Sequence, residues 1–280
     1  MNYIDAHVHV WTPDTQRYPL AKGFTKSDMK PASFTPDELF KHMKPEGVTR
    51  VNLIQMSYYQ FDNTYMLDMI DLHKGVFVGT AIIDPESKDP AGQMTDLARR
   101  KVRAFRIYPT LTNAPQPRWL QPEGYSRMFA AAARNNQAIS CLVNPIDLAE
   151  IDRMCRKYPD APVIIDHMAR IGVSGEIKKD EVEALLALAR HRRVMVKVGA
   201  FYAFGKKKAP YTDLGPLIQK ILQAFGPERC MWESDCPFQV VEGHTYKDSI
   251  QLIRSRLAFL TDSDKDWLLR KTAEKFFFTD

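Results

Sequence analysis

Short apolar runs recur along the chain at 4–10, 51–56, 75–83, 102–108, 138–143, 162–167, 194–198 and 230–235. They are rich in Val, Ile and Leu and do not alternate with polar residues, the pattern of strands covered on both faces. Between them, apolar residues take helical spacing at 65–72, 94–100, 125–135, 148–154, 181–190 and 214–225, and two more such segments, 246–260 and 264–277, end the chain. The first helix has the clearest start: Thr35 suits the N-cap, Pro36 the first turn, and Glu38 completes a capping box. Eight strands, each followed by a helix, predict an α/β protein: a (β/α)8 TIM barrel in a single domain over residues 1–280, with an extra C-terminal helix. A doubly wound open sheet is the competing arrangement, but the chain lacks the Gly-x-Gly-x-x-Gly that would follow an early strand.

Composition changes this picture little. A chain of 280 residues, 45% hydrophobic and 26% charged, has the make-up of an ordinary globular protein large enough for a barrel. No apolar run approaches the ~18 residues needed to span a membrane. The N-terminus lacks a basic segment followed by an apolar one, so no secretory leader and a cytoplasmic location are expected. Cys141, Cys155, Cys230 and Cys236 form no CxxC pair, which fits reduced thiols filling core space. The net charge of +5 is dispersed among 34 acidic residues, which argues against a nucleic-acid partner and is compatible with a small anionic substrate. Whether the chain forms a homo-oligomer is left open.

In a parallel barrel the functional groups sit at the C-terminal ends of the strands and in the loops that follow. That rule selects His7 and His9 from strand one, Arg103 and Arg106 from strand four and His167 from strand six. It also selects Lys197 from strand seven and Glu233 and Asp235 from strand eight. Alternation along a strand puts His7 and His9 on one face, where the pair can grip one metal ion or polarise one carbonyl. Alone, the motif also fits two ordinary histidines on a half-exposed strand. Ionisable groups that end apolar strands are costly to bury without partners, and their convergence on one rim points to an enzyme. The loop at 11–33 is long for a compact domain, as functional loops often are. Tyr18 within it and Tyr202 after strand seven are candidates to stack on or hydrogen-bond a substrate, with the filling of loop space as the competing account. His244, after strand eight, is a further candidate, with helix capping as its alternative. The run Lys206-Lys207-Lys208 either steers anions or is simply solvated.

Four segments carry a resemblance. Asp5-Ala6-His7-Val8-His9-Val10-Trp11, Arg17-Tyr18-Pro19, Asp166-His167-Met168-Ala169-Arg170 and Trp232-Glu233-Ser234-Asp235-Cys236-Pro237 together resemble the amidohydrolase superfamily. More narrowly they are similar to its amidohydrolase 2 branch, which holds sugar-acid lactonases, 2-pyrone-4,6-dicarboxylate lactonase and metal-dependent decarboxylases. The resemblance implies a catalytic set of His7, His9, His167 and Asp235. It also implies that these four hold one divalent metal ion, zinc or manganese, or act without any metal. Asp235 would take a proton from the attacking water and pass it to the leaving group. Arg170 matches an arginine used on a substrate carboxylate, and Arg106, with Arg103 as its alternative, matches a strand-four arginine of this group.

Two departures qualify the match. Strand five, Ser140-Cys141-Leu142-Val143-Asn144-Pro145, has no histidine, which argues against a binuclear centre and weakens a decarboxylase. Glu233 stands where relatives more often have a small residue, and its role is unassigned. The expected function is hydrolysis of a small anionic or polyhydroxylated lactone, such as a sugar-acid lactone of carbohydrate metabolism. Asp235 activates water, the three histidines stabilise the oxyanion, and Arg106 and Arg170 hold a carboxylate. Lys197 either faces the cavity or pairs with Glu233. A metal-dependent decarboxylase or a lactone isomerase on the same scaffold is the alternative.

Overall fold

The eight strands form as β1 (Tyr3–Val8), β2 (Val48–Ile54), β3 (Phe77–Ala81), β4 (Val102–Ile107), β5 (Ala138–Cys141), β6 (Val163–Ile165), β7 (Val194–Gly199) and β8 (Cys230–Glu233). The structure is a computed structural model and describes residues 2–114 and 116–279. All neighbouring strands pair in parallel and in chain order. The seam between β8 and β1 is bridged by Asp235 N–H to His7 C=O at 3.0 Å and His9 N–H to Cys236 C=O at 2.8 Å. The result is a TIM barrel in a single domain.

Helices α1 (Pro36–Met43), α2 (Thr64–Leu72), α3 (Pro90–Ala98), α4 (Glu123–Asn135), α5 (Leu148–Lys157), α6 (Lys179–Ala187) and α7 (Gly215–Phe225) connect the strands. The capping box expected at the start of α1 is present, with Glu38 accepting from Thr35 N–H at 2.7 Å. After β8 come α8 (Tyr246–Gln251), α9 (Asp262–Asp266) and α10 (Thr272–Phe277). The helix expected over 246–260 is shorter: a π turn, Leu252–Arg256, extends α8, and the chain then leaves helical geometry. Among the described residues, no helix is long and apolar enough to cross a membrane.

Which side chains fill the barrel follows from strand parity. Ala104, Ala138, Ile164 and Met231 form a buried apolar cluster with Ile4, Ala6 and Val78. Two residues further along their strands stand Arg106, Ser140, Asp166 and Glu233, on the same face and nearer the C-terminal rim. Ala273 and Phe277 of α10 complete the apolar cluster, so the extra C-terminal helix plugs the end of the barrel opposite the rim.

One strand breaks parity. Ile4 and Ala6 belong to the apolar cluster, yet His7, an odd number of residues later, also meets the rim groups. Along β1 the pairing runs from Asp5 opposite Val51 to Val8 opposite Leu53, three steps against two. This is a β-bulge, which re-aims the following side chains. Asp5, fully buried, accepts from His7 N–H at 3.2 Å, from Ser234 N–H across the seam at 2.9 Å and from Tyr246 O–H at 2.7 Å.

Phe277 is fully buried in the plug, so Phe277→Ala should lower unfolding free energy by about 3–5 kcal/mol. Urea denaturation measures this, and a loss below about 1 kcal/mol would show that the plug is not part of the cooperative core.

Candidate active site

Three of the rim groups are aimed by unusual backbone. In a regular strand, adjacent residues face opposite ways, yet Asp166 and His167 both reach the barrel interior. The chain leaves β6 at Ile165 and enters a left-handed turn, with φ of 53°, 51°, 56° and 59° at His167, Met168, Ala169 and Arg170. The strand expected over 162–167 is therefore shorter, because this turn swings His167 inward. Left-handed conformation costs a non-glycine residue about 1–2 kcal/mol, and such strain collects at functional sites. Asp235 and Ala200, just beyond β8 and β7, also have positive φ, 63° and 53°. Gly199 ends β7 because a Cβ there would stand 2.1 Å from Glu233 C=O.

His7 and His9 face each other, Nε2 to Nε2 at 3.2 Å, and each Nε2 lies 3.5 Å from Asp235 Oδ1. The other Asp235 oxygen accepts from Tyr202 O–H at 2.6 Å. Glu233, without an assigned role from sequence, is fully buried, with Oε1 2.6 Å from His167 Nδ1 and Oε2 3.2 Å from His7 Nδ1. Lys197, also fully buried, places Nζ 2.9 Å from Asp166 Oδ1 and 3.0 Å from His7 Nδ1. It lies beneath the cavity rather than in its wall, and its carboxylate partner is Asp166, not Glu233. Arg106 meets Asp166 at 3.3 Å and His167 Nε2 at 3.3 Å. Arg103, on the opposite face of β4, reaches Thr279 C=O instead.

Of these groups His9, Arg106, His167, Tyr202 and Asp235 line a cavity of 670 Å³, to which Arg170 also contributes. The Arg170 guanidinium forms no hydrogen bond or ion pair among the described residues. Phe24, Met56, Ile82, Leu142, Phe204 and Phe238 supply much of the remaining wall. Two candidates fall outside. Tyr18 donates to Asp68 at 2.8 Å, packs on Tyr65 and borders a separate cavity with Thr12 and Asp14. Its loop reaches the site through Phe24 instead. His244 accepts or donates at 2.7 Å with Tyr211 O–H and stands behind Tyr202, ring centroids 6.0 Å apart, away from the cavity wall. Lys206, Lys207 and Lys208 are exposed.

Sequence reasoning missed Asp166 and Asp5. Asp166 directly precedes His167 and Asp5 stands two residues before His7 in the quoted segments, and that proximity was the available signal. Asp166 accepts from Ser140 at 2.8 Å and ties Lys197 and Arg106 together.

Electrostatics separates the two strand-eight carboxyls. Burial alone disfavours the charge on Asp235, but the His167 charge and the adjoining His9 and His7 outweigh it and hold the carboxyl well below its usual range. Burial dominates at Glu233 and raises it. Burial opposes charge on His167 too, yet Glu233 and Asp235 overcome that and raise it. Burial and the Lys197 ammonium depress His7, and burial depresses His9, which favours the neutral form of both imidazoles. Carboxyls driven apart in this way are suited to different roles.

Among the described residues, two groups are spaced to hold a cation: His7, His9 and Asp235, and His7, His167 and Glu233. In the second, the 2.6 Å contact between Glu233 and His167 is a short hydrogen bond. In the first, separations of 3.2–3.5 Å match the about 3.3–3.4 Å between donors on a tetrahedral ion bound at ~2.0–2.1 Å. Asp235 Oδ1 is buried with no hydrogen-bond partner among the described residues. The first group fits a single divalent ion.

The sequence profile of the amidohydrolase family matches residues 4–279. The chain belongs to the amidohydrolase family. It is an enzyme of that superfamily, a hydrolase. This amidohydrolase is 26% identical over 248 residues to the L-fucono-1,5-lactonase of Burkholderia ambifaria, covering 86% of this chain and 82% of that protein. It is 24% identical over 235 residues to the 4-sulfomuconolactone hydrolase of Rhizobium radiobacter, covering 83% and 75%. A crystal structure of a Burkholderia multivorans amidohydrolase with bound zinc superposes over 100% of both chains with a TM-score of 0.83 at 20% identity, a likeness of fold.

The contact between Glu233 and His167 has a direct readout. In a histidine NMR titration His167 should keep its proton above the ordinary value of about 6.5, and in Glu233→Gln release it at lower pH. Equal midpoints in the two proteins would contradict the charge coupling.

Proposed function

We propose that this amidohydrolase hydrolyses a lactone that carries a carboxylate, with Asp235 as the proton acceptor from water. The observation that carries this reading is the buried Asp235, its charged form favoured by its neighbours, in a cavity that also presents the donors Arg106, His167 and Arg170. Tyr202 occupies Oδ2, and its own proton is secured by burial and by Asp235, which raise it. Oδ1 is left for the incoming water. Asp235 is a weak base while His167 is charged beside it. As negative charge grows on the carbonyl oxygen it neutralises that field, and the proton affinity of Asp235 rises when the proton must be taken.

The acceptor of that growing charge is suggested by His167 and Arg106. With His167 protonated, its Nε2–H and the Arg106 Nη2–H stand 3.3 Å apart as two donors that cannot bond each other. A single oxyanion between them satisfies both. Asp235 then returns its proton to the departing alkoxide, giving a hydroxy acid. A divalent ion on His7, His9 and Asp235, when bound, supplies a Lewis acid for the carbonyl. Arg170 pairs with the substrate carboxylate, and the apolar wall from Phe24, Met56, Leu142 and Phe238 favours an apolar lactone body over a polyhydroxylated one. Lactone hydrolysis by the two named relatives supports the reaction type.

Acid release from a panel of carboxylated and sugar-acid lactones, run with and without chelator, tests the reading. Carbon dioxide release, or a lactone product without net hydrolysis, would replace it with decarboxylation or isomerisation. Asp235→Asn should cut kcat by about 10²–10⁴ while the circular dichroism stays unchanged. Arg170→Met should raise KM for carboxylated lactones about tenfold or more and leave neutral lactones unaffected. An equal effect on both substrates would remove Arg170 from carboxylate binding.

A further inference from the structure

Two imidazoles face each other through Nε2 at 3.2 Å, and the placement of one proton decides what can sit between them. His9 is settled by its other nitrogen. Nδ1 lies 3.1 Å from Ile54 C=O, which only accepts, so Nδ1 carries the proton and Nε2 presents a lone pair. At His7, Nδ1 has an ammonium on one side, Lys197 Nζ at 3.0 Å, and a carboxylate on the other, Glu233 Oε2 at 3.2 Å. The two demand opposite tautomers. An ammonium has three donors and no acceptor, so its bond to Nδ1 requires a lone pair there. A bond to Glu233 requires a proton.

The remaining contacts choose between them. Glu233 Oε2 has no hydrogen-bond partner among the described residues, whereas the approach of Lys197 has hydrogen-bond geometry. Glu233 is committed through Oε1 to His167, and Lys197 is fixed by Asp166, itself held by Ser140. We infer that Lys197 forces His7 into the Nε2–H tautomer, which makes a directed chain from Lys197 to His7 to His9 to Ile54 C=O and closes the three-donor cation site with a proton. In that chain each donor meets one acceptor. Lys197 is thus a positioning residue, acting on the site through His7 from outside the cavity.

The consequence is a centre whose donors have the spacing for a metal ion but whose resting state opposes one. A divalent ion that takes His7 Nε2 must displace its proton, which moves to Nδ1 and breaks the bond from Lys197. The ion also arrives against the fixed positive charge of Lys197. Affinity for zinc is therefore set by a strand-seven lysine that does not ligate it. This inference does not rest on lactone hydrolysis, and neither readout below uses a substrate.

The test combines zinc titration with histidine NMR on the full chain freed of metal by chelator. In ¹⁵N-histidine spectra the His7 signals, assigned by their loss in His7→Gln, should show Nε2 protonated and Nδ1 unprotonated. Lys197→Met, which keeps the length of the side chain without its charge, should bind one equivalent of zinc at least tenfold more tightly than the native protein by calorimetry. Lys197→Arg, which keeps charge and donors, should not. A His7 protonated on Nδ1 in the native protein, or zinc binding no tighter in Lys197→Met, overturns the proposal. Should Lys197→Met fail to fold, the tautomer read from the native protein decides alone.

Discussion

Beside the seam where the last strand meets the first, β1 carries one residue more between Asp5 and Val8 than β2 can pair, and the buried Asp5 carboxyl bonds the backbone on both sides of that irregularity. It takes the His7 and Ser234 amides and the Tyr246 hydroxyl, groups that would otherwise be buried without acceptors at about 1–3 kcal/mol each. Burial pushes the Asp5 carboxyl up to about 7, so these donors matter to its charge as well as to the backbone. Because the bulge shifts parity, Ile4 and Ala6 can close the apolar floor of the barrel while His7 and His9 turn toward its polar rim. Asp235 follows Ser234 directly, so one carboxylate sets both sides of the site: the histidine pair on β1 and the aspartate facing it.

Above that seam the buried charges are arranged as a network in which cations and carboxylates alternate. Lys197 and Arg106 flank Asp166, Glu233 adjoins His167, and His167 lies next to Asp235 in charge coupling. Breaking a buried pair by removing one partner typically costs about 3–5 kcal/mol, so each member fixes the state of the next. The network keeps Asp235 ionised and His167 charged in a place where burial opposes both. Arg170, in the cavity wall, stays outside that network, with no hydrogen bond or ion pair among the described residues.

Much of this was legible in the sequence, and the misses have physical causes. The continuous apolar strands predicted the barrel, and the strand-end rule selected His9, Arg106, His167 and Asp235, which line one cavity, and His7, which is buried against His9. Parity could have separated Arg103 from Arg106, since residues three apart on a strand face opposite ways, once Ala104 was known to lie inside. The β1 bulge was not legible, because it depends on pairing with β2 rather than on local pattern. The left-handed turn at 167–170 was hidden for a related reason, since none of its residues is a glycine that would announce positive φ. Tyr18 was misplaced because a long loop reveals neither its path nor which aromatic it delivers; the path is fixed by Asp68 and Tyr65 on the neighbouring helix. Lys197 could not be resolved from strand position alone, since its partner Asp166 sits just beyond β6, which ends earlier than its apolar run suggests.

The account stands on water, activated by Asp235, attacking the carbonyl carbon of a lactone. Turnover of a carboxylated lactone in H₂¹⁸O, with mass spectrometry of the product, tests that claim most directly. One ¹⁸O in the newly formed carboxylate and none in the new hydroxyl is the predicted result. Label in the hydroxyl, or no hydroxy acid from any lactone offered, would contradict it.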